Sequence, residues 1–194
     1  MSTTEITNPL VRIVDGLEVP AVGTYALDVS HSSVNFSVRH LMVSKTKGRF
    51  TDFTGAVVIA EDPLASSVEV EIQVASVDTR DETRDAHLRS PDFFDAETYP
   101  VITYRSTKVT PARKGTWTVE GDLTVHGTTV AVPLEVRFEG GAKDPWGGAR
   151  IGFSARTELD RDAFGLTWNQ ALETGGVLVG KQVKIDIDAE AVQQ

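Results

Sequence analysis

The chain has 194 residues, a formal net charge of −9, 40% apolar residues and no cysteine. That length suits one large domain or two small ones, all-β barrels of this size running as a single domain, and the apolar share can fill a core. The acidic balance disfavours nucleic acid and anionic membrane as non-specific partners. The absence of cysteine excludes disulfides, thiolate chemistry and cysteine-ligated zinc or iron–sulfur sites.

Residues 1–8 are polar and small and read as a flexible start. Glu5 precedes the first Lys or Arg, and no apolar run of signal-peptide length follows, so the simplest compartment is cytoplasmic. The longest apolar runs, such as 56–60, are about five residues against the ~20 that span a bilayer, so no stable membrane insertion is expected. Residues 9–20 carry Leu10, Val11, Ile13, Val14, Leu17 and Val19 and read as a short docked helix or an extended arm; Gly16 argues against one long helix. The domain division expected is an extension over 1–21 and one domain over 22–192.

From Gly23 the period becomes two. Val34, Phe36 and Val38 alternate with Ser33, Asn35, Ser37 and Arg39, the pattern of a half-buried strand. Residues 28–33 read as the turn before it. Residues 48–60 are β-rich, with Gly55 a bend or bulge. Over 68–77, Val68, Val70, Ile72 and Val74 face one way and Glu69, Glu71 and Gln73 the other. Residues 79–100 then break the alternation with dense charge: Asp78 or Thr79 caps a helix to about Leu88, and Ser90-Pro91 starts a second turn bearing Phe93 and Phe94. Strands resume over 101–110 and 116–125. Val130, Val132, Leu134, Val136 and Phe138 form the next alternating row, and Ile151, Phe153 and Ala155 another. A long loop over 160–180 holds Phe164, Leu166, Trp168 and Leu172; Val183, Ile185 and Ile187 form the last strand. Eight or nine strands with hairpin-length gaps give an antiparallel sheet, which hides its apolar faces and edges by closing on itself.

The charged stretch first looks like a catalytic site. Arg80, Arg84, Arg89, Asp81, Asp85 and Asp92 can form an acid–base constellation, but paired stripes at i, i+4 on a helix explain them structurally. His31, His40, His87 and His126 show no metal-ligand spacing. Only a site assembled from His40, His87 and His126 across distant strands stays open. No Gly-x-Ser-x-Gly elbow, phosphate loop or dinucleotide fingerprint is present. The apolar faces remain, either as a filled core or as the lining of a cavity; spacing alone does not choose.

Several ordered motifs resemble the YceI-like family over roughly 22–192. They are Asp28-x-Ser30-His31-Ser32-x-Val34-x-Phe36-x-Val38-x-His40, Gly48-Arg49-Phe50 with Gly55, and Ala75-Ser76-Val77-Asp78-Thr79. Arg84-Asp85-x-His87-Leu88-Arg89-Ser90-x-Asp92-Phe93-Phe94 and Tyr99-Pro100 follow, then Gly121-x-Leu123-Thr124-x-His126-Gly127 and Arg161-x-x-Phe164-Gly165. The resemblance implies an all-β fold: an extended, antiparallel, eight-stranded lipocalin-like barrel with a short helical insert at about 80–95. It further implies an internal apolar tunnel for a polyisoprenoid, isoprenoid quinone or fatty amide, often a homodimer, and no catalysis. Lys181-Gln182 stands where relatives commonly carry an acidic pair, and many relatives carry a secretion signal.

The expectation is storage or transport of a long-chain apolar small molecule, with no cofactor, metal or catalytic residue. The expected lining is Val34, Phe36, Val38, Val70, Ile72, Val74, Val132, Leu134, Val136 and Phe153, with Phe164 and Trp168 at the mouth. Two alternatives stand beside it. An isomerase or hydrolase needs a His or carboxylate opening into the barrel. A stress-linked interaction protein needs a solid core.

Overall fold

The alternating stretches become strands in the computed structural model, which describes residues 8–41, 43–173 and 175–194. The expectation for residues 1–7 lies outside them. A hairpin of β1 (Val11–Val14) and β2 (Leu17–Pro20) comes first. One antiparallel sheet follows, made of β3 (Gly23–Leu27), β4 (Ser33–His40), β5 (Ser44–Phe50), β6 (Phe53–Ile59), β7 (Ser67–Gln73), β8 (Val77–Asp78), β9 (Val101–Pro111), β10 (Thr116–Val125), β11 (Thr128–Lys143), β12 (Ala149–Asp160) and β13 (Val179–Gln193). The helix α1 (Glu82–Arg89) lies between β8 and β9.

Eleven strands make eight staves because three neighbouring staves are interrupted. β3 and β4 lie along the same edge of β13, Leu27 opposite Ala191 and Ser33 opposite Asp188. Residues 28–33 therefore do not reverse the chain: Asp28 caps a 3-10 turn, Val29–His31, by accepting from the Ser30 amide. β6 pairs with β3 and β5 with β4. That stave breaks at residues 51–52 and not at Gly55, which stays in register opposite Val70. A Cβ on Gly55 would come 2.5 Å from the Glu69 carbonyl oxygen, so close packing, not a bend, is what glycine serves there. β7 pairs with β6 and β8 with β5, separated by a 3-10 turn over Val74–Ser76. The Gln73 amide donates to Asp52 O and the Thr51 amide to Ser76 O, stitching two of the breaks together.

The sheet closes where β12 pairs with β13 over Arg150↔Val192 to Asp160↔Gln182. The ring β3-β6-β7-β9-β10-β11-β12-β13 is hydrogen-bonded all the way round. Above the breaks the pairing runs only as far as β8, and among the described residues no rung joins β8 to β9. Residues 79–100 bridge that interval. Chain alternation puts residues 79–100, 126–127 and 161–178 at one end, here the upper end. The connections at 60–66, 112–115 and 144–148 lie at the lower end.

The N-terminal segment is neither helix nor arm but a hairpin. Asp15 and Gly16 both have positive φ, 50° and 79°, the type I′ geometry whose twist matches paired strands. The hairpin buries Leu10 and Val19, at 5% and 2% exposure, against the lower end. Arg12 fixes it there: Nε donates to Pro20 O at 3.1 Å, and Nη2 and Nη1 donate to Ala60 O and Glu61 O at 3.0 and 3.2 Å. Tyr25, fully buried at the lower end of β3, donates its hydroxyl to Ala21 O at 3.0 Å.

Candidate functional site

The inward rows do not fill the barrel. They enclose a cavity of about 360 Å³ that runs from Val19 and Pro20 at the lower end to Leu88, Phe93, Phe94, Phe164 and Leu166 at the upper end. That volume falls in the ~300–1,000 Å³ range of small-molecule sites. Of the twelve residues expected from sequence, Val34, Phe36, Val38, Val70, Ile72, Val132, Leu134, Val136, Phe153 and Phe164 lie on its wall. Val74 does not. Its 3-10 turn takes it out of the period-two row, and it packs, 1% exposed, in the core beside Phe50, Phe53 and Val77. Trp168 also lies off the wall. It stacks on the outside of the plug, its ring 4.7 Å from His87 and 5.1 Å from Phe93.

Sequence reasoning left most of the wall unnamed, and four of the groups it missed stand out. Val19 and Pro20 come with the hairpin, whose signal was the Asp15-Gly16 pair between apolar runs. Tyr104 lies flat along the wall, over the neighbouring β10, because Gly121 leaves room: a Cβ there would lie 2.4 Å from the ring. A β-bulge at Glu120/Gly121 accompanies it. The Tyr104 hydroxyl reaches Val119 O at 2.9 Å and Val132 O at 3.2 Å. Burial raises its pKa, with smaller contributions from Asp122 and Glu120, so it stays a neutral donor. Arg161 is the fourth, a cation on an apolar wall with no periodic signal to announce it. The remaining polar lining is Ser32, Ser33 and Asp188 beside the first break, Ser66 and Ser67 at the lower turn, and Thr157.

The charged insert turns out to be a latch. The helix cap is Asp81, not Asp78 or Thr79: its Oδ1 accepts from the Arg84 amide at 3.0 Å. Arg80 lies before the helix with φ 62°, so it shares no stripe with Arg84. Asp85 is buried and accepts from the Thr79 amide at 2.9 Å and the Thr79 hydroxyl at 2.5 Å. Arg84 Nε and Nη2 donate to Thr79 Oγ1 and O. His87 pairs with Asp92 at 2.8 Å. None of Arg80, Asp81, Arg84, Asp85, Arg89 or Asp92 lies on the cavity wall. The three separated histidines form no site: His40 ends β4, His87 stacks on Phe93, and His126 turns the chain at φ 50° against Tyr99.

Asp28, His31 and Glu190 are the one group within metal-ligand reach among the described residues. Arg150 already serves it, 2.7 Å from Asp28, 2.6 Å from Glu190 and 2.8 Å from Asp144. The Ser30 hydroxyl, then Arg150, then His31 hold Asp28 well below the usual carboxylate range. This is a clamp that ties the first break to β12 and β13.

At the upper end, β13 skips register between Val179 and Val183. Gly180, Lys181 and Gln182 bulge there. Lys181 pairs with Asp162 at 2.6 Å, which raises the Lys181 pKa and lowers that of Asp162.

A closed eight-stranded antiparallel barrel around an apolar cavity is the architecture of lipocalin-like proteins. The family model for the YceI-like domain matches residues 25–191, and the chain belongs to that family. A UPF0312 protein of Staphylococcus aureus is 39% identical over 168 residues, covering 86% of this chain and 95% of its own. Among solved structures, Burkholderia cenocepacia BcnA superposes with TM-score 0.74 at 25% identity, covering 84% of this chain and 98% of its own. A polyisoprenoid binding domain from Saccharophagus degradans shares the fold at TM-score 0.64 and 17% identity, covering 90% and 100%. No helix is long and apolar enough to cross a membrane among the described residues.

Proposed function

We propose that this protein binds a long apolar molecule of the isoprenoid or fatty type inside its barrel and stores or carries it without chemical change. The observation that carries the proposal is the cavity: it runs between the two plugs, and its wall is overwhelmingly aliphatic and aromatic. Binding in such a space is driven by area removed from water, at ~25 cal/mol per Å². The Saccharophagus neighbour, described as a polyisoprenoid binding domain, supports the choice of ligand class.

Two observations favour binding over catalysis and over a solid-cored interaction protein. No histidine among the described residues lies on the wall, and its one carboxylate, Asp188, belongs to the exposed, even-numbered row of β13. A solid core would leave no continuous cavity. The ligand contacts proposed are the ten expected wall residues together with Val19, Phe93 and Tyr104. The homodimer and the cytoplasmic location expected from the sequence belong to the same proposal.

The test is mass spectrometry of an organic extract of freshly purified protein, beside thermal shifts with added farnesol. A co-purifying apolar compound, or a rise in Tm on adding farnesol, is expected. Finding neither overturns the proposal.

A further inference from the structure

Arg161 is out of place in this wall. It follows β12 directly, opens the 3-10 turn Arg161–Phe164 and is 6% exposed. Its neighbours on the upper wall are Leu159, Phe164, Leu166 and Val179. Burying a guanidinium in such company is costly unless its charge and its donors are both met.

They are met only in part. Nε donates to Gly180 O at 3.0 Å, and Nη1 donates to Leu166 O. Both acceptors are neutral carbonyls, and among the described residues Arg161 makes no ion pair within 4.0 Å. The nearby acids are otherwise engaged. Asp162 is paired with Lys181, and Asp160 accepts from the Asp162 amide at 3.0 Å. A guanidinium has five N–H donors, and two of them are used. The spare nitrogen is not sealed off, since no fully buried side-chain nitrogen lacks a partner among the described residues. The side chain that carries these spare donors lines the cavity. Burial also pulls the Arg161 pKa below its ordinary value, against the opposing influence of Asp162 and Asp160. The group still carries its proton at neutral pH.

We propose that Arg161 is a head-group subsite: the ligand is an amphiphile whose anionic oxygens, carboxylate or phosphate, meet the spare Arg161 N–H groups while its apolar chain runs down the barrel. The geometry fixes a polarity, head at the upper end beside the Gly180–Gln182 bulge and tail toward Val19. The planar donor fork suits paired oxygens better than a single hydroxyl. This rests on the apolar-cavity reading above and adds a chemical class and an orientation to it.

The test uses pairs of competitors that differ only in the head. Farnesyl phosphate is compared with farnesol, and palmitate with hexadecanol, as displacers of the neutral dye N-phenyl-1-naphthylamine from the full chain. For the wild type, the anionic member of at least one pair is expected to displace at about tenfold lower concentration or better, the scale of a charge-assisted hydrogen bond. Which pair shows the preference separates phosphate from carboxylate heads. In Arg161→Gln the ratio is expected to fall toward one while the uncharged member keeps its midpoint; Arg161→Lys should retain part of the preference. A wild-type ratio near one in both pairs overturns the proposal. So does a full ratio in an Arg161→Gln protein that still binds farnesol. If Arg161→Gln does not fold, the wild-type ratios and the lysine variant decide. Should none of the four compounds displace the dye, it is the apolar-cavity reading that fails.

Discussion

The two ends of the barrel are closed by different means. At the upper end the plug is built from residues inside the family match: the latch of Thr79, Arg84 and Asp85, the Phe93–His87–Trp168 stack, and Phe164 with Leu166 beneath it. At the lower end the plug is the β1–β2 hairpin, which precedes that match. It is held by Leu10, Val19 and the three carbonyl bonds of Arg12. Phe164, Leu166, Leu88 and Phe94 tie the upper plug to the main core, although Phe93 stands outside it, whereas Leu10 and Val19 join neither core cluster. An upper defect should therefore unsettle the whole fold, and a lower defect only the plug.

Phe164→Ala sharpens that contrast most. Phe164 is 3% exposed within the main core, and removing a buried phenyl ring costs about 3–5 kcal/mol. Urea unfolding should show the loss as a lower midpoint with one cooperative transition. Val19→Asp probes the other end. A buried aspartate with no partner should expel the hairpin and leave the barrel folded. Trypsin would then cut after Arg12 far faster than in the wild type, with the main unfolding transition moved less than by Phe164→Ala. A collapse of that transition as large as the Phe164→Ala loss would break the comparison.

The smallest effect at neutral pH is expected from Arg150→Met, in the clamp beside the first break. Asp28 and Asp144 have folded pKa values below their ordinary 3.8. Their stabilisation is full above that value and is lost as pH falls through the lowered folded values. Both are held down in part by Arg150. The wild type should therefore lose more stability than Arg150→Met between pH 5 and pH 2. Parallel declines in denaturant midpoint would show the clamp to be inert.

Much of this was legible in the residues, and the failures share a cause. Alternation placed Val34, Phe36, Val38, Val132, Leu134 and Val136 on the inner face because a strand carries its side chains with period two. It failed at Val74, where Val-Ala-Ser turns through a 3-10 step with no glycine or proline to mark it. It likewise read 28–33 as a reversal when the chain only jogs and continues. Trp168 looked like a mouth residue because large apolar residues in a loop carry no record of which side of the loop they face. Tyr104 and the inward aim of Arg161 carried no periodic signal. Tyr104 depends on the space that Gly121 leaves on the neighbouring strand, and Arg161, though part of a motif, is aimed by the carbonyls of Gly180 and Leu166.

The missing rung between β8 and β9 has a consequence for traffic. Everywhere else, parting two staves means breaking a ladder of backbone hydrogen bonds. Along this line no strand pairs with β9 above the Val74 N–H to Pro100 O bond, and the insert closes the interval with Leu88, Phe93 and Phe94 on the cavity wall. A slot can widen there by rotating a few rings while every strand keeps its partners. The barrel is thus least resistant to widening on this one flank, where the insert, held by the Thr79–Asp85 latch, stands in place of a strand pair.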